Sequence, residues 1–425
     1  MTMSGRPLAI DIPERNIYKA TPANGITFLY APNPYNSIVA VRILSRMGSR
    51  FEPGPRAGMA NMTMRMLSAG TETHSEEQIA GLLDRNGSHF KSESGKDWSS
   101  IDLLTTTKFA AEDLSVVIEL LDQATYPEAK LAREREIVRM SILEDEDSRL
   151  VYTMRQFHRN YYGAHPYSWP SIGQLDTLDS IGRDDLVGFA ASAFQPANMV
   201  VTVVGGGEED EIQAQVEELL ATRSPAAIRS LEDPQPAQPA IQDDHLFVEN
   251  REGESAYIVI GYPGCAITDD QAIEMRLISA LLGGSMDSRL FREIRDKRGL
   301  CYQVGAAYNP RLYHAPLLAY MVTSPSNREE AIRCTEAEIE RLKNEPVPEE
   351  ELERVKTYIS GAYVMSMETN MGQAGRYGVY EMSGLGWGYA NQFARKIQQV
   401  DAQRIQQVAQ QLFTHRLIAI TAPPA

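Results

Sequence analysis

Apolar and polar positions change period several times along the first half of the chain. Stretches rich in β-branched and aromatic residues predict strands at 17–21, 26–30 and 37–45. Asn24-Gly25 stands between the first two strands and favours a hairpin turn. From residue 59 the apolar positions fall three or four residues apart, which predicts an amphipathic helix. Its apolar stripe consists of Met59, Met62, Met66 and Leu67.

Helix and strand signals continue to interleave up to residue 221. Ser75, followed by Glu76 and Glu77, predicts a helix start, and Gly87 predicts its end. Further helices are predicted at 112–123, 128–147, 154–162, 183–194 and 209–221. Further strands are predicted at 89–93, 99–107 and 198–204. A chain that mixes strands with helices returning to the same sheet belongs to the α+β class.

A segment rich in proline divides the chain. Residues 224–244 carry four prolines among alanine and glutamine, a composition typical of a linker. We therefore expect one domain at 1–223 and a second at 245–425. A chain of 425 residues is also too long for a single ordinary core, which agrees with two domains.

The second half resembles the first in the order of its motifs. Pro127-Glu128 and Pro348-Glu349 stand 221 residues apart, and Leu186 and Ile405 stand 219 residues apart. A period of about 220 residues predicts a duplicated domain rather than a short repeat. Chance similarity between amphipathic helices is the alternative.

Composition narrows the range of partners. The chain has 57 acidic and 41 basic residues, a formal charge of −16, which argues against nucleic acid or an anionic membrane. Its three cysteines have neither disulfide nor zinc-site spacing. No apolar run reaches the ~18 residues of a membrane span, and the first residues lack a signal-peptide pattern. A soluble, cytoplasmic protein is favoured, or a periplasmic one if a signal was removed.

The helix after Gly58 stands in a recognisable series of motifs. Gly48-Ser49-Arg50-Phe51-Glu52 precedes it, and Gly70-Thr71 follows it. His165-Pro166-Tyr167 comes later, and Arg298-Gly299-Leu300-Cys301-Tyr302 lies in the second half. In this order the motifs resemble those of the pitrilysin/insulinase metallopeptidases over nearly the whole chain. The resemblance implies two similar α+β domains that face each other across a chamber.

The resemblance places a degenerate zinc motif on this helix. The family's helix carries H-x-x-E-H, whose histidines bind zinc and whose glutamate is the general base. Here the histidine positions hold Asn61 and Arg65, the base position holds Met64, and Ser141 aligns with the third ligand. Asn, Arg and Ser are not usual zinc ligands, so we expect no metal in this chain. The seven histidines offer no pair at helical ligand spacing.

The resemblance also places Arg295 and Tyr302 at the family's arginine–tyrosine pair, with the same spacing. In the family the arginine donates to a substrate carbonyl and the tyrosine donates to the oxyanion of the tetrahedral intermediate. We therefore expect these two residues to be catalytic. The alternative is that Arg295 is a solvated helix residue and Tyr302 an ordinary strand residue.

A third family feature is peptide capture at an edge strand, by pairing of the peptide with the strand. The positions that match this strand are Phe90, Lys91, Ser92 and Glu93. Their polar composition suits an unpaired edge, and it equally suits any solvated strand.

Together these implications predict the non-zinc subunit of a heterodimeric zinc peptidase that acts on unfolded peptides. Its partner would be a zinc-motif paralogue that supplies the metal. One alternative is a catalytically inactive structural pseudopeptidase, or a peptide-binding subunit of a larger complex. Another is a homodimer that binds peptides without cleaving them.

Overall fold

The computed structural model describes residues 16–206, 211–223, 241 and 243–424. Within these residues eleven strands form two sheets. The strands are β1 (Tyr18–Ala20), β2 (Thr27–Ala31), β3 (Ile38–Ser45), β4 (His89–Ser94), β5 (Ser99–Thr106), β6 (Met199–Val204), β7 (His245–Asn250), β8 (Ala256–Tyr262), β9 (Cys301–Tyr308), β10 (Leu317–Thr323) and β11 (Leu417–Ala422). Most of the predicted linker, 224–244, and the N-terminal segment 1–15 lie outside the described residues.

The helices flank the two sheets. They are α1 (Met59–Arg65), α2 (Glu76–Arg85), α3 (Ala110–Gln123), α4 (Glu128–Asp147), α5 (Arg149–Tyr162), α6 (Leu175–Leu178), α7 (Arg183–Ala193), α8 (Glu211–Ala221), α9 (Ala272–Gly283), α10 (Arg328–Asn344), α11 (Glu349–Ser366), α12 (Asn370–Met382), α13 (Tyr389–Gln399) and α14 (Ala402–Leu412). A π-helical turn spans Phe291–Asp296. Among the described helices, none is both long and apolar enough to cross a bilayer.

Five strands of the first sheet have the same topology as the second sheet, and β1 is an additional edge strand of the first. The first has the order β1-β2-β6-β3-β5-β4, and the second has the order β7-β11-β8-β10-β9. In each sheet one parallel pair, β2 with β6 or β7 with β11, is followed by antiparallel pairs only. The helices α4 and α11 begin at equivalent positions, Glu128 and Glu349. The predicted α+β fold with two similar halves is confirmed.

Local sequence signals explain where several elements begin and turn. Gly25 adopts a φ of +91°, and β1 pairs antiparallel with β2 across the Asn24-Gly25 turn. Ser75 caps α2 by accepting from the Gln78 backbone N–H at 3.3 Å, and the Gln78 side chain accepts from the Ser75 backbone N–H at 2.8 Å. This reciprocal pair satisfies two donors that a helix start leaves unpaired.

Each half of the chain places one helix on the sheet of the other half. The helix α5 packs against β8 and β11, and α12 packs against β3 and β6. Polar contacts accompany this packing: Thr153 Oγ1 donates to Thr421 Oγ1 at 2.8 Å, and Asn370 Nδ2 donates to the Ile38 carbonyl at 2.7 Å. The linker therefore separates the two sheets in sequence, whereas the helices that cover them are exchanged.

We expect Gly261→Ala to destabilise the protein because α5 lies directly on β8. A Cβ at residue 261 would stand 2.0 Å from Cζ of Phe157, a fully buried side chain that also stacks on Tyr161. Overpacking of this kind costs about 1–3 kcal/mol, which urea unfolding would measure. Gly81→Ala is the control, since a Cβ there would meet no described atom within 4 Å and should stabilise α2. Equal stability of Gly261→Ala and the wild type would contradict the helix exchange.

Candidate functional site

The helix α1 is positioned by a close contact and a carboxylate cap at its N-terminus. Gly58 adopts a φ of +101°, and a Cβ there would stand 2.8 Å from Cα of Gly173. The buried Glu52 side chain accepts from the backbone N–H groups of Gly58 at 2.8 Å and Ala60 at 2.5 Å. Burial raises the pKa of Glu52 to about 7, although both hydrogen bonds and the charge of Lys96 act in the opposite direction.

The methionines of α1, together with Met66 directly after it, form the contact of this helix with the core. Met62 and Met66 are fully buried, and Met59 and Met64 are nearly so. Met64 occupies the position that holds the general base in the pitrilysin/insulinase motif. A buried thioether has no proton to exchange at that position, so α1 offers no base there.

Of the other degenerate positions, Arg65 joins α1 to α4. Arg65 donates to Glu134 Oε2 from Nε at 3.0 Å and from Nη2 at 2.7 Å. Asn61 is half-buried, and its Nδ2 has no hydrogen-bond partner among the described residues. Ser141 Oγ donates to the Ile137 carbonyl, 3.2 Å away, within its own helix. An amide, a guanidinium and a hydroxyl do not match the zinc donor set, and the family's metal does not fit these residues.

The strand β4 lies at the edge of the first sheet, paired on one side with β5. It is joined to α1 by the Ser92 hydroxyl, which donates to the Met64 carbonyl at 2.8 Å. Lys91 and Glu93 point outward and form an exposed ion pair at 2.6 Å. The strand predicted to bind peptides is thus an edge strand beside α1, and its role in binding stays a prediction.

Arg295 and Tyr302 lie in the second half, on the π-helical turn and at the start of β9. The backbone N–H of Leu300 donates to the Ile294 carbonyl at 2.9 Å and closes the turn. The side chains of Ile294 and Leu300 are buried. Tyr302 is 68% exposed, and Arg295 is also exposed, with its guanidinium carbon 4.9 Å from the Phe291 ring centroid. The buried side chains of Ile294 and Leu300 therefore hold a turn on which both candidate donors are exposed.

A buried ion pair holds this segment against α11. Arg289 donates to Glu351 from Nε at 2.9 Å and from Nη2 at 2.8 Å, and Arg289 is 2% exposed. Removing one member of such a pair leaves a buried charge uncompensated, so the pair ties the candidate donors firmly to the second half. Neither Arg295 nor Tyr302 hydrogen-bonds to an α1 side chain in the described part of the chain.

A buried polar cluster where the two halves meet was not predicted from the sequence. Arg50, which is 1% exposed, lies 3.4 Å from Asp97, and its Nη1 donates to the hydroxyl of Tyr313 in the second half at 3.2 Å. The sequence signal for this cluster is Arg50 itself, a charged residue that follows the small residues Gly48 and Ser49. Sequence spacing could not identify its partners, which are more than 40 residues away in one case and more than 260 in the other.

Two protein-family sequence models match this chain. The insulinase (peptidase family M16) model matches residues 27–171, and the peptidase M16 inactive domain model matches residues 180–359. The chain belongs to the M16 peptidase family. The predicted relationship to pitrilysin/insulinase peptidases is thereby confirmed, with the inactive-domain match falling mostly in the second half.

Relatives from bacteria match this chain over most of its length. An uncharacterized zinc protease of Rickettsia bellii is 25% identical over 346 residues, which cover 81% of this chain and 82% of the relative. The uncharacterized zinc protease YmxG of Bacillus subtilis is 24% identical over 400 residues, 94% of this chain and 96% of YmxG.

Two solved structures have the same fold as this chain. A peptidase M16 inactive domain from Pseudomonas fluorescens matches with a TM-score of 0.86 at 21% identity, over 96% of this chain and 98% of that chain. A protease from Helicobacter pylori matches with a TM-score of 0.88 at 19% identity, over 96% and 100%. At these identities the structures establish the fold of this chain and nothing further.

We expect that Asn61→His, Arg65→His and Ser141→Glu together create a zinc site. Two histidines at i and i+4 on α1 would then face a carboxylate on α4, which is the donor set that zinc prefers. Competition with a chelating dye would give the zinc affinity of the triple variant. The double variant without Ser141→Glu is the control and should bind more weakly. Equal affinities would mean that residue 141 does not face α1.

Proposed function

We propose that this chain is the non-zinc subunit of a heterodimeric M16 peptidase that cleaves unfolded peptides. The partner would be a zinc-motif paralogue, which supplies the metal and the general base. This chain would contribute Arg295 and Tyr302 as hydrogen-bond donors, and β4 as an edge on which an extended peptide pairs. The substrate class, the partner and the residue roles are proposed here, whereas the family and the fold rest on the sequence and structure comparisons.

The observation that carries the proposal is the contrast between the two candidate sites. On α1 the ligand positions hold Asn61 and Arg65, and Arg65 is engaged by Glu134. In the second half, by contrast, Arg295 and Tyr302 are exposed on a turn anchored by buried side chains. A protein that has lost its own metal donors while keeping preorganised oxyanion donors is suited to complete the site of another subunit.

A second candidate function is that of a catalytically inactive binding subunit. Apolar side chains are exposed on α4 and on the equivalent helix α11. Met140 on α4 is 65% exposed, and Met365 on α11 is 69% exposed. Ile137 and Leu143, each 40% exposed, lie three residues before and after Met140 on α4. Neighbouring exposed apolar side chains of this kind favour contact with another protein. This candidate requires no role for Arg295 or Tyr302.

We expect Tyr302→Phe to lower kcat of the mixed complex while leaving complex formation intact. The assay combines this chain with a zinc-motif paralogue and follows cleavage of a fluorogenic unstructured peptide. Loss of one oxyanion donor lowers kcat about 100-fold or more, because that hydrogen bond is made in the transition state. KM should change little, since the hydroxyl does not contact the ground-state carbonyl in this proposal.

Tyr35→Phe is the matched control, because Tyr35 is 88% exposed and lies in the loop between β2 and β3. It removes the same atom and should leave kcat at the wild-type value. Full activity of the Tyr302→Phe complex would exclude the proposed catalytic contribution. If Met140→Glu prevented assembly while Tyr302→Phe had no effect, the inactive binding subunit would be the better description.

A further inference from the structure

The turn between β4 and β5 meets the loop between β9 and β10 at the boundary of the two halves. Asp97, in the first of these, accepts from the Tyr167 hydroxyl and, at 3.2 Å, from the Leu312 backbone N–H of the second half. The Tyr313 backbone N–H donates to the Tyr167 hydroxyl at 3.4 Å. Tyr167 is therefore the centre of a polar junction between the halves.

Cationic side chains outnumber carboxylates at this junction. Arg50, Lys96 and Arg311 carry the positive charges, and the Arg311 guanidinium carbon lies 4.9 Å from the Tyr167 ring centroid. The two carboxylates are already engaged. Asp97 interacts with Arg50 and accepts the hydrogen bonds above, and Glu52 caps α1.

Three buried nitrogens of this cluster have no hydrogen-bond partner within the described residues: Lys96 Nζ, Arg311 Nη1 and His165 Nε2. His165 is 4% exposed, and its ring lies 4.6 Å from that of Tyr167. Its Nδ1 accepts from the Tyr167 backbone N–H at 3.1 Å, which assigns the ring proton to Nε2. Burial of unpaired donors and charges is costly, so all three call for an acceptor.

The electrostatics of these groups are consistent with an excess of positive charge. Burial and the charge of Arg311 lower the pKa of Lys96 to about 7, against the carboxylates of Glu52 and Asp97. Burial lowers the pKa of His165 to about 4, and Arg50, Arg311 and Lys96 act in the same direction. A nearby anion would oppose these shifts by stabilising the protonated forms.

We propose that Lys96, His165 and Arg311 bind a small inorganic oxyanion of the phosphate or sulfate type, enclosed between the two halves. The three donor atoms have almost no exposed surface, which favours a small anion over the carboxylate end of a peptide. Hydrogen bonds from charged donors to an oxyanion are short and strong. Because Lys96 and His165 belong to the first half and Arg311 to the second, the bound anion would join them.

Equilibrium dialysis of the purified chain against radiolabelled phosphate tests this site directly. We expect saturable binding of one phosphate per chain, and a rise in Tm that saturates over the same concentration range. Lys96→Met should weaken binding at least about tenfold, since one charged donor is lost. Lys108→Met, at an exposed lysine just after β5 in the same half, is the matched control and should bind normally. Lys96→Arg keeps the charge and should retain most of the binding.

Several outcomes would overturn the proposal. Absence of saturable phosphate binding by the wild type would do so, as would equal affinities of the wild type and Lys96→Met. A Tm that rises with phosphate without saturation, and equally in both proteins, would indicate general salt exclusion instead. If acetate bound more tightly than phosphate, the assignment of a tetrahedral oxyanion as the ligand would be wrong. If Lys96→Met does not fold, Arg311→Met examines the same site from the other half, with the same expected loss.

Discussion

The reciprocal packing of α5 and α12 determines how the two halves of this protein are related. Each of these helices covers the sheet of the opposite half, so neither sheet is complete without the other half. Small residues make the exchange possible: Gly261 leaves room for Phe157, and Gly378 lies against Thr202 and Leu44. Side chains of both sheets also share one core, in which Leu29 and Val204 belong to the same cluster as Ile258 and Ile260. The relative positions of the two halves are consequently fixed by apolar packing.

The helix α1 is supported by protein contacts within the first half. The ion pair between Arg65 and Glu134 is partly exposed, and a pair of this kind contributes at most about 1 kcal/mol. Burial of each methionine side chain on α1 contributes roughly 1.5–3 kcal/mol, so the apolar stripe stabilises the helix far more than the ion pair does. The Glu52 cap adds two hydrogen bonds at the N-terminus. Most of the support of this helix therefore comes from groups other than the residues at the metal-ligand positions.

Local sequence signals predicted most elements because their causes lie within a few residues. The hairpin at Asn24-Gly25, the Ser75 cap of α2 and the apolar stripe of α1 are of this kind, and the similar order of motifs predicted the duplication. The exchange of α5 and α12 was not predictable in the same way, since an amphipathic helix does not specify which sheet it covers. The junction around Tyr167 escaped for a related reason: Asp97, Tyr167 and Leu312 are far apart in sequence. Whether Arg295 and Tyr302 act on a substrate stays a prediction from the family resemblance.

The separation of the two candidate sites explains how one can degenerate while the other persists. The residues at the zinc-motif positions are supported by Glu52, by the methionine stripe and by Ser92 of β4, all in the first half. The turn with Arg295 and Tyr302 is supported by Ile294, Leu300 and the Arg289–Glu351 pair, all in the second half. Substitutions at distant sites without shared contacts have nearly additive effects on stability. Replacement of metal ligands on α1 therefore need not disturb the presentation of the tyrosine hydroxyl. In the proposed heterodimer this independence is what allows two related chains to keep complementary parts of one active site.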